Sequence, residues 1–248
     1  MTSATTAAKG PWGPGATIAW TVVIAGVFAA TQGVLAIPYL LLTAPDRSAA
    51  GIEAAAASLG RDGRFLGIAE TVSATLVVAL TLFLAWLRRG PPVRQYLGLE
   101  AAPRGVTLRW LLYTVAAVAL FEVAAHVAGY PSVPDWMIDV YRTARSLPLL
   151  VFATVVAAPV VEEVVFRGFL FEGLRRSWLG DAGTIFLTAL LWASIHLGQY
   201  QMFYVAQIFV LGLALGLART RTGSLLTAMA MHALVNVVAT LQVALETR

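Results

Sequence analysis

The chain has 248 residues, of which 59% are hydrophobic and only 12% charged, about half the charge of an ordinary soluble domain. Its length and apolar excess fit one domain of several membrane spans rather than two water-soluble domains. It has no cysteine, which excludes disulfides, thiolate metal sites and cysteine nucleophiles. The net charge of +4 is small and spread over loops, as suits orientation in a membrane and not nucleic-acid binding. The pattern predicts an all-α polytopic membrane protein, a bundle of about seven transmembrane helices around a polar intramembrane site.

Residues 1–16 are expected as a flexible tail and 17–248 as a single transmembrane domain. The Gly/Pro-rich stretch Gly10–Gly15, preceded by Lys9 alone, does not resemble a cleaved signal peptide. A first span is predicted over 17–43, kinked near Pro38. Residues 44–64 read as a polar, Ala-rich loop or marginal helix. A second span, 65–87, has Glu70 near its mouth, and Pro91 and Pro92 stop any helix after it. The third, 106–128, carries Glu122 and His126 one turn apart, which suggests an intrahelical polar pair. Residues 137–147 could lie at the interface, with Trp136 and Tyr141 at headgroup level. The fourth span, 147–170, ends at Arg175 and Arg176. A short fifth, 182–197, contains His196. The sixth, 202–218, contains Gly212 and Gly216, spaced for close helix approach. The seventh, 224–245, contains His232 and Asn236.

Arginines concentrate after the second, fourth and sixth spans, at Arg88, Arg89, Arg94, Arg104, Arg175, Arg176, Arg219 and Arg221. The positive-inside rule then favours a multi-pass protein of the cell membrane with a cytoplasmic N-terminus.

The fourth span organises the chain. Glu162 and Glu163 are adjacent carboxylates in an apolar segment, and Arg167 follows four residues after Glu163. A charge at bilayer depth costs at least about 2.5–3.5 kcal/mol, so three of them need a reason. Glu163 and Arg167 share a helix face and can pair. Glu162 is rotated by about 100° and is left free. His232 and Asn236 share a face of the last span, and Trp192 lies one turn before His196. Two imidazoles, a free carboxylate and an amide could activate a water and stabilise an oxyanion, the chemistry of peptide-bond hydrolysis. The same Glu162, His196 and His232 could instead hold a divalent metal such as Zn²⁺. No His-Glu-x-x-His and no serine elbow is present. Two other classes stay open: a catalytically inactive scaffold or immunity-type protein, and a proton-coupled transporter.

The stretches E-E-V-V-F-R (Glu162–Arg167), W-A-S-I-H (Trp192–His196) and H-A-L-V-N (His232–Asn236) resemble, in order, the three motifs of the CPBP family of intramembrane proteases. That family includes the type II CAAX prenyl endopeptidases and bacterial Abi-type proteins. The resemblance places a catalytic core at 147–237. It implies an intramembrane endopeptidase acting on a membrane-associated or lipidated peptide or protein. Glu162 would be the general base, with His196 helping to hold the water. His232 and Asn236 would stabilise the oxyanion, and Glu163 and Arg167 would brace the site. The family is often called metalloprotease, yet its motifs also fit a metal-free glutamate mechanism. Trp192 stands where the family usually has Phe.

Overall fold

The computed structural model describes residues 10–44, 46 and 48–247. Most of the expected N-terminal tail, residues 1–9, lies outside the described residues, and the first helix already begins at Pro14. Among the described residues no β-strand forms. The helices, in chain order, are α1 (Pro14–Thr43), α2 (Ala49–Ser58), α3 (Gly63–Leu87), α4 (Val93–Leu97), α5 (Arg104–Ala128), α6 (Asp135–Thr143), α7 (Leu147–Leu174), α8 (Gly180–Ser194), α9 (Met202–Thr222) and α10 (Leu225–Glu246).

Six of these, α1, α3, α5, α7, α9 and α10, are long and apolar enough to cross a membrane. The fifth expected span is α8, at 15 residues. That is about 22 Å of helix, short of the ~30 Å hydrocarbon core. The 44–64 segment, expected as loop or marginal helix, holds α2, capped by Ser48, whose side chain accepts from the Gly51 N–H at 3.0 Å. Local chemistry sets the other ends. The Asp62 carboxylate accepts from the Arg64 and Phe65 N–H groups and starts α3. Gly223, at φ 68°, ends α9 in a left-handed turn that costs a glycine little.

Large apolar side chains face outward along the bundle: Leu42 on α1 is 81% exposed and Val127 on α5 is 79% exposed. Such surface is stable only against lipid.

Helix α7 is the centre. It packs against α1, α3, α4, α8, α9 and α10. Its residues join two core clusters, one around Leu84, Leu97 and Phe169, the other around Trp192, Leu215 and Met231, and Phe166 packs against both. It is not a regular helix. Two π-helical stretches, Ala153–Ala157 and Val164–Leu170, flank the α-helical turns Ala158–Glu163 that carry both carboxylates. Pro159 has no N–H to give and crowds the preceding turn, so the widening next to it relieves a local conflict.

The two glycines of α9 let α8 approach closely. A Cβ on Gly212 would lie 3.0 Å from Ala189 and from Trp192, and one on Gly216 would lie 3.0 Å from Ile185. The arginines at the ends of α7 and α9 form a network on Glu172. Arg176 reaches it at 3.1 Å, Arg175 at 3.7 Å and Arg219 at 3.9 Å, while Arg175 also binds Asp181 at 2.9 Å.

Candidate active site

The carboxylates of α7 diverge as their spacing predicts. Glu163 is fully buried and points into the bundle. Its Oε1 accepts from Arg167 at 3.0 Å and lies 3.0 Å from His232 Nδ1 on α10. An ionised carboxylate can only accept, so His232 carries its hydrogen on Nδ1 and turns Nε2 toward the cavity. Arg167, also fully buried, donates to the Gly212 carbonyl at 3.2 Å and lies over the Trp192 ring at 4.5 Å. Three elements thus brace one imidazole.

Glu162 faces the other way. It lines a cavity of about 330 Å³ together with His196, His232 and Asn236. Its Oε2 lies 3.9 Å from His232 Nε2 and accepts a hydrogen bond from the Trp192 indole N–H. His196 Nδ1 lies 2.9 Å from the Trp192 carbonyl. A carbonyl only accepts, so Nδ1–H donates and Nε2 keeps its lone pair. Asn236 donates from Nδ2 to the Thr154 carbonyl on α7 at 2.7 Å. One of its amide hydrogens is therefore committed to holding α10 against α7, and the other has no partner among the described residues.

The six expected catalytic residues therefore meet in two layers. Glu162, His196, His232 and Asn236 border the cavity, and Glu163 and Arg167 lie behind His232. The expected metal ligands do not assemble in the same way. Among the described residues no three His, Asp or Glu side chains are grouped to hold a metal ion.

Residues 144–238 match the family described as type II CAAX prenyl endopeptidase Rce1-like. A relative from Escherichia coli, an uncharacterized 24.3 kDa protein, is 30% identical over 175 residues, 65% of this chain and 73% of the relative. The chain belongs to the Rce1-like family. No solved structure matches. The family match falls on α7 to α10, the helices that carry all six residues; α1, α3 and α5 lie outside it.

Helices outside that core still contribute to the cavity. Glu70 of α3 and Glu122 of α5 line it. Glu122 does not pair with His126, as its spacing suggested. It accepts from Gln242 of α10 at 2.8 Å, and His126 is exposed. Trp136 and Tyr141 of α6, expected at headgroup level, line the cavity too, and the Trp136 indole donates to the Gly60 carbonyl at 2.8 Å. Tyr200 was unmarked by any motif. Its ring stacks on His196 at 6.1 Å between centroids. Burial, and then the Glu162 carboxylate, push its phenol above the ordinary value, so it stays a neutral O–H. The signal for Tyr200 was its position one turn after His196. Glu70 was signalled only by being a charge at the edge of a span.

Proposed function

We propose that the chain is an intramembrane endopeptidase that uses Glu162 to activate a water against a peptide bond. The observation that carries this is the convergence of Glu162 Oε2 and His232 Nε2, 3.9 Å apart, on the wall of a cavity that His196 and Asn236 also line. Glu162 and the free Nε2 of His196 accept the two hydrogens of a water lodged between them. The water oxygen attacks the carbonyl carbon while its proton passes to Glu162. Negative charge grows on the carbonyl oxygen. The remaining Asn236 amide hydrogen donates to that oxygen, and the His232 ring, held through Nδ1 by Glu163, faces it with Nε2. Glu162 then gives its proton to the leaving nitrogen, the C–N bond breaks, and an acid and an amine result.

The cavity wall is largely apolar, with Leu66, Val118, Phe121, Ile208 and Leu211 beside the polar groups. That lining suits the apolar part of a membrane-associated or lipidated peptide. The arginine bias puts the N-terminus on the cytoplasmic side of the cell membrane on this reading.

The test is cleavage of membrane-inserted and lipidated peptides by purified protein in detergent, with Glu162→Gln beside it. Removing the base should lower kcat by about 10²–10⁴-fold. Equal turnover in both, or a biological effect that Glu162→Gln leaves intact, would assign the chain to an inactive scaffold instead.

A further inference from the structure

Among the described residues, one side chain donates a hydrogen bond to Glu162: the Trp192 indole. A carboxylate at a cavity wall, 19% exposed, otherwise has its rotamers to choose from, and each unproductive one lowers the fraction of enzyme poised to react. The indole cannot swing away, because Trp192 is itself clamped. It is 2% exposed. The Arg167 guanidinium covers one face at 4.5 Å. His196 and His232 meet the ring edge to face at 5.4 and 5.1 Å. Gly212 admits the ring edge where a Cβ would stand only 3.0 Å away. The Trp192 backbone carbonyl, moreover, orients His196. The same residue thus contacts Glu162, His196, His232 and Arg167.

We propose that Trp192 is the positioning residue of the general base: its N–H fixes Glu162 Oε2 and leaves Oε1 as the oxygen that takes the proton from water. This rests on the hydrolytic reading of Glu162. A phenylalanine at this position, the usual residue of the motif, could supply the ring that packs on Arg167 and both imidazoles but not the hydrogen bond. In this chain the site therefore uses a donor that the ring alone does not provide, and Glu162 depends on it.

Trp192→Phe separates the two roles, since it keeps an aromatic face and removes the N–H. It should lower kcat about tenfold or more while KM stays within about twofold, because the hydrogen bond orients the base and touches no substrate. Ultraviolet resonance Raman spectra supply a second readout that needs neither turnover nor the Trp192 variant. The wild-type minus Glu162→Gln difference should show one indole N–H band moving toward a weaker hydrogen bond, as a carboxylate acceptor is replaced by an amide. Wild-type kcat in a folded Trp192→Phe, or no indole band in the difference spectrum, overturns the proposal. Wild-type protein that cleaves no peptide removes the hydrolytic reading and the positioning role with it. Active wild type with an equally active Trp192→Phe removes the positioning role alone.

Discussion

Arg167→Met should destabilise the protein far more than the loss of a surface arginine, and a second substitution should largely undo the damage. Arg167 and Glu163 are each fully buried, 3.0 Å apart. Exposed pairs of this spacing contribute about 0.3–0.5 kcal/mol. Removing one partner of a buried pair costs about 3–5 kcal/mol, because the other charge is left without compensation. Arg167 also donates to the Gly212 carbonyl and covers the Trp192 ring, so the upper half of that range applies. At about 2–4 °C per kcal/mol for a chain of this size, the melting temperature in detergent should fall by roughly 8–20 °C. Glu163→Gln alone strands the arginine and should cost a comparable amount. The Glu163→Gln, Arg167→Met double variant buries no unpaired charge. Its loss should be well below the sum of the single losses, with a coupling energy of at least about 2 kcal/mol in the cycle. A single variant that melts within about 2 °C of wild type, or a double variant whose loss equals that sum, would refute the claim that this pair holds α7 in place.

Asn236→Ala should lower kcat by about 10²-fold, the usual effect of losing one oxyanion donor; a KM effect alone would assign Asn236 to the α7–α10 contact through Thr154. Cleavage should persist after dialysis against EDTA and phenanthroline, since the side chains do not gather as ligands; loss of activity that Zn²⁺ restores would show that the site rearranges around a metal. Gly212→Leu should abolish folding or lower the melting temperature by ~10 °C or more through overpacking, because a Cβ there already meets Ala189, Trp192 and Arg167; wild-type melting would mean that α8 and α9 are less closely packed than described.

Much of the site was legible because helical spacing fixes what lies on one face. The Glu163–Arg167 pair, the separation of Glu162 from it, and the close approach at Gly212 and Gly216 all follow from intervals of one to four residues along one helix. What could not be read depends on contacts between distant segments. Glu122 and His126 have the spacing of a pair, yet Glu122 bonds Gln242, 120 positions away, since periodicity says nothing of what stands across the cavity. Asn236 reaches Thr154 across 82 positions for the same reason. Trp192 could be read as cavity wall because its ring is apolar; the direction of its N–H is a tertiary fact. That α8 is short was legible, but its end at Ser194 was hidden by the apolar residues that run on past its last turn, through Ile195 and Leu197.

The two π-helical stretches of α7 connect these observations. A regular helix from Leu147 to Leu174 would set the azimuth of Glu162 and Glu163 from the packing of the whole rod. Each widened stretch lets the segment beyond it turn independently of the segment before. The turns Ala158–Glu163, flanked by both, can therefore aim Glu163 at His232 on α10 and Glu162 at Trp192 on α8. The remainder of α7 still buries Leu150 and Phe169 against its neighbours. The Arg167 link to Gly212 ties the second widened stretch to α9. The buried ion pair thus acts on geometry as much as on stability: it sets the imidazole that faces the cavity, and through Trp192 it reaches the carboxylate on the other side.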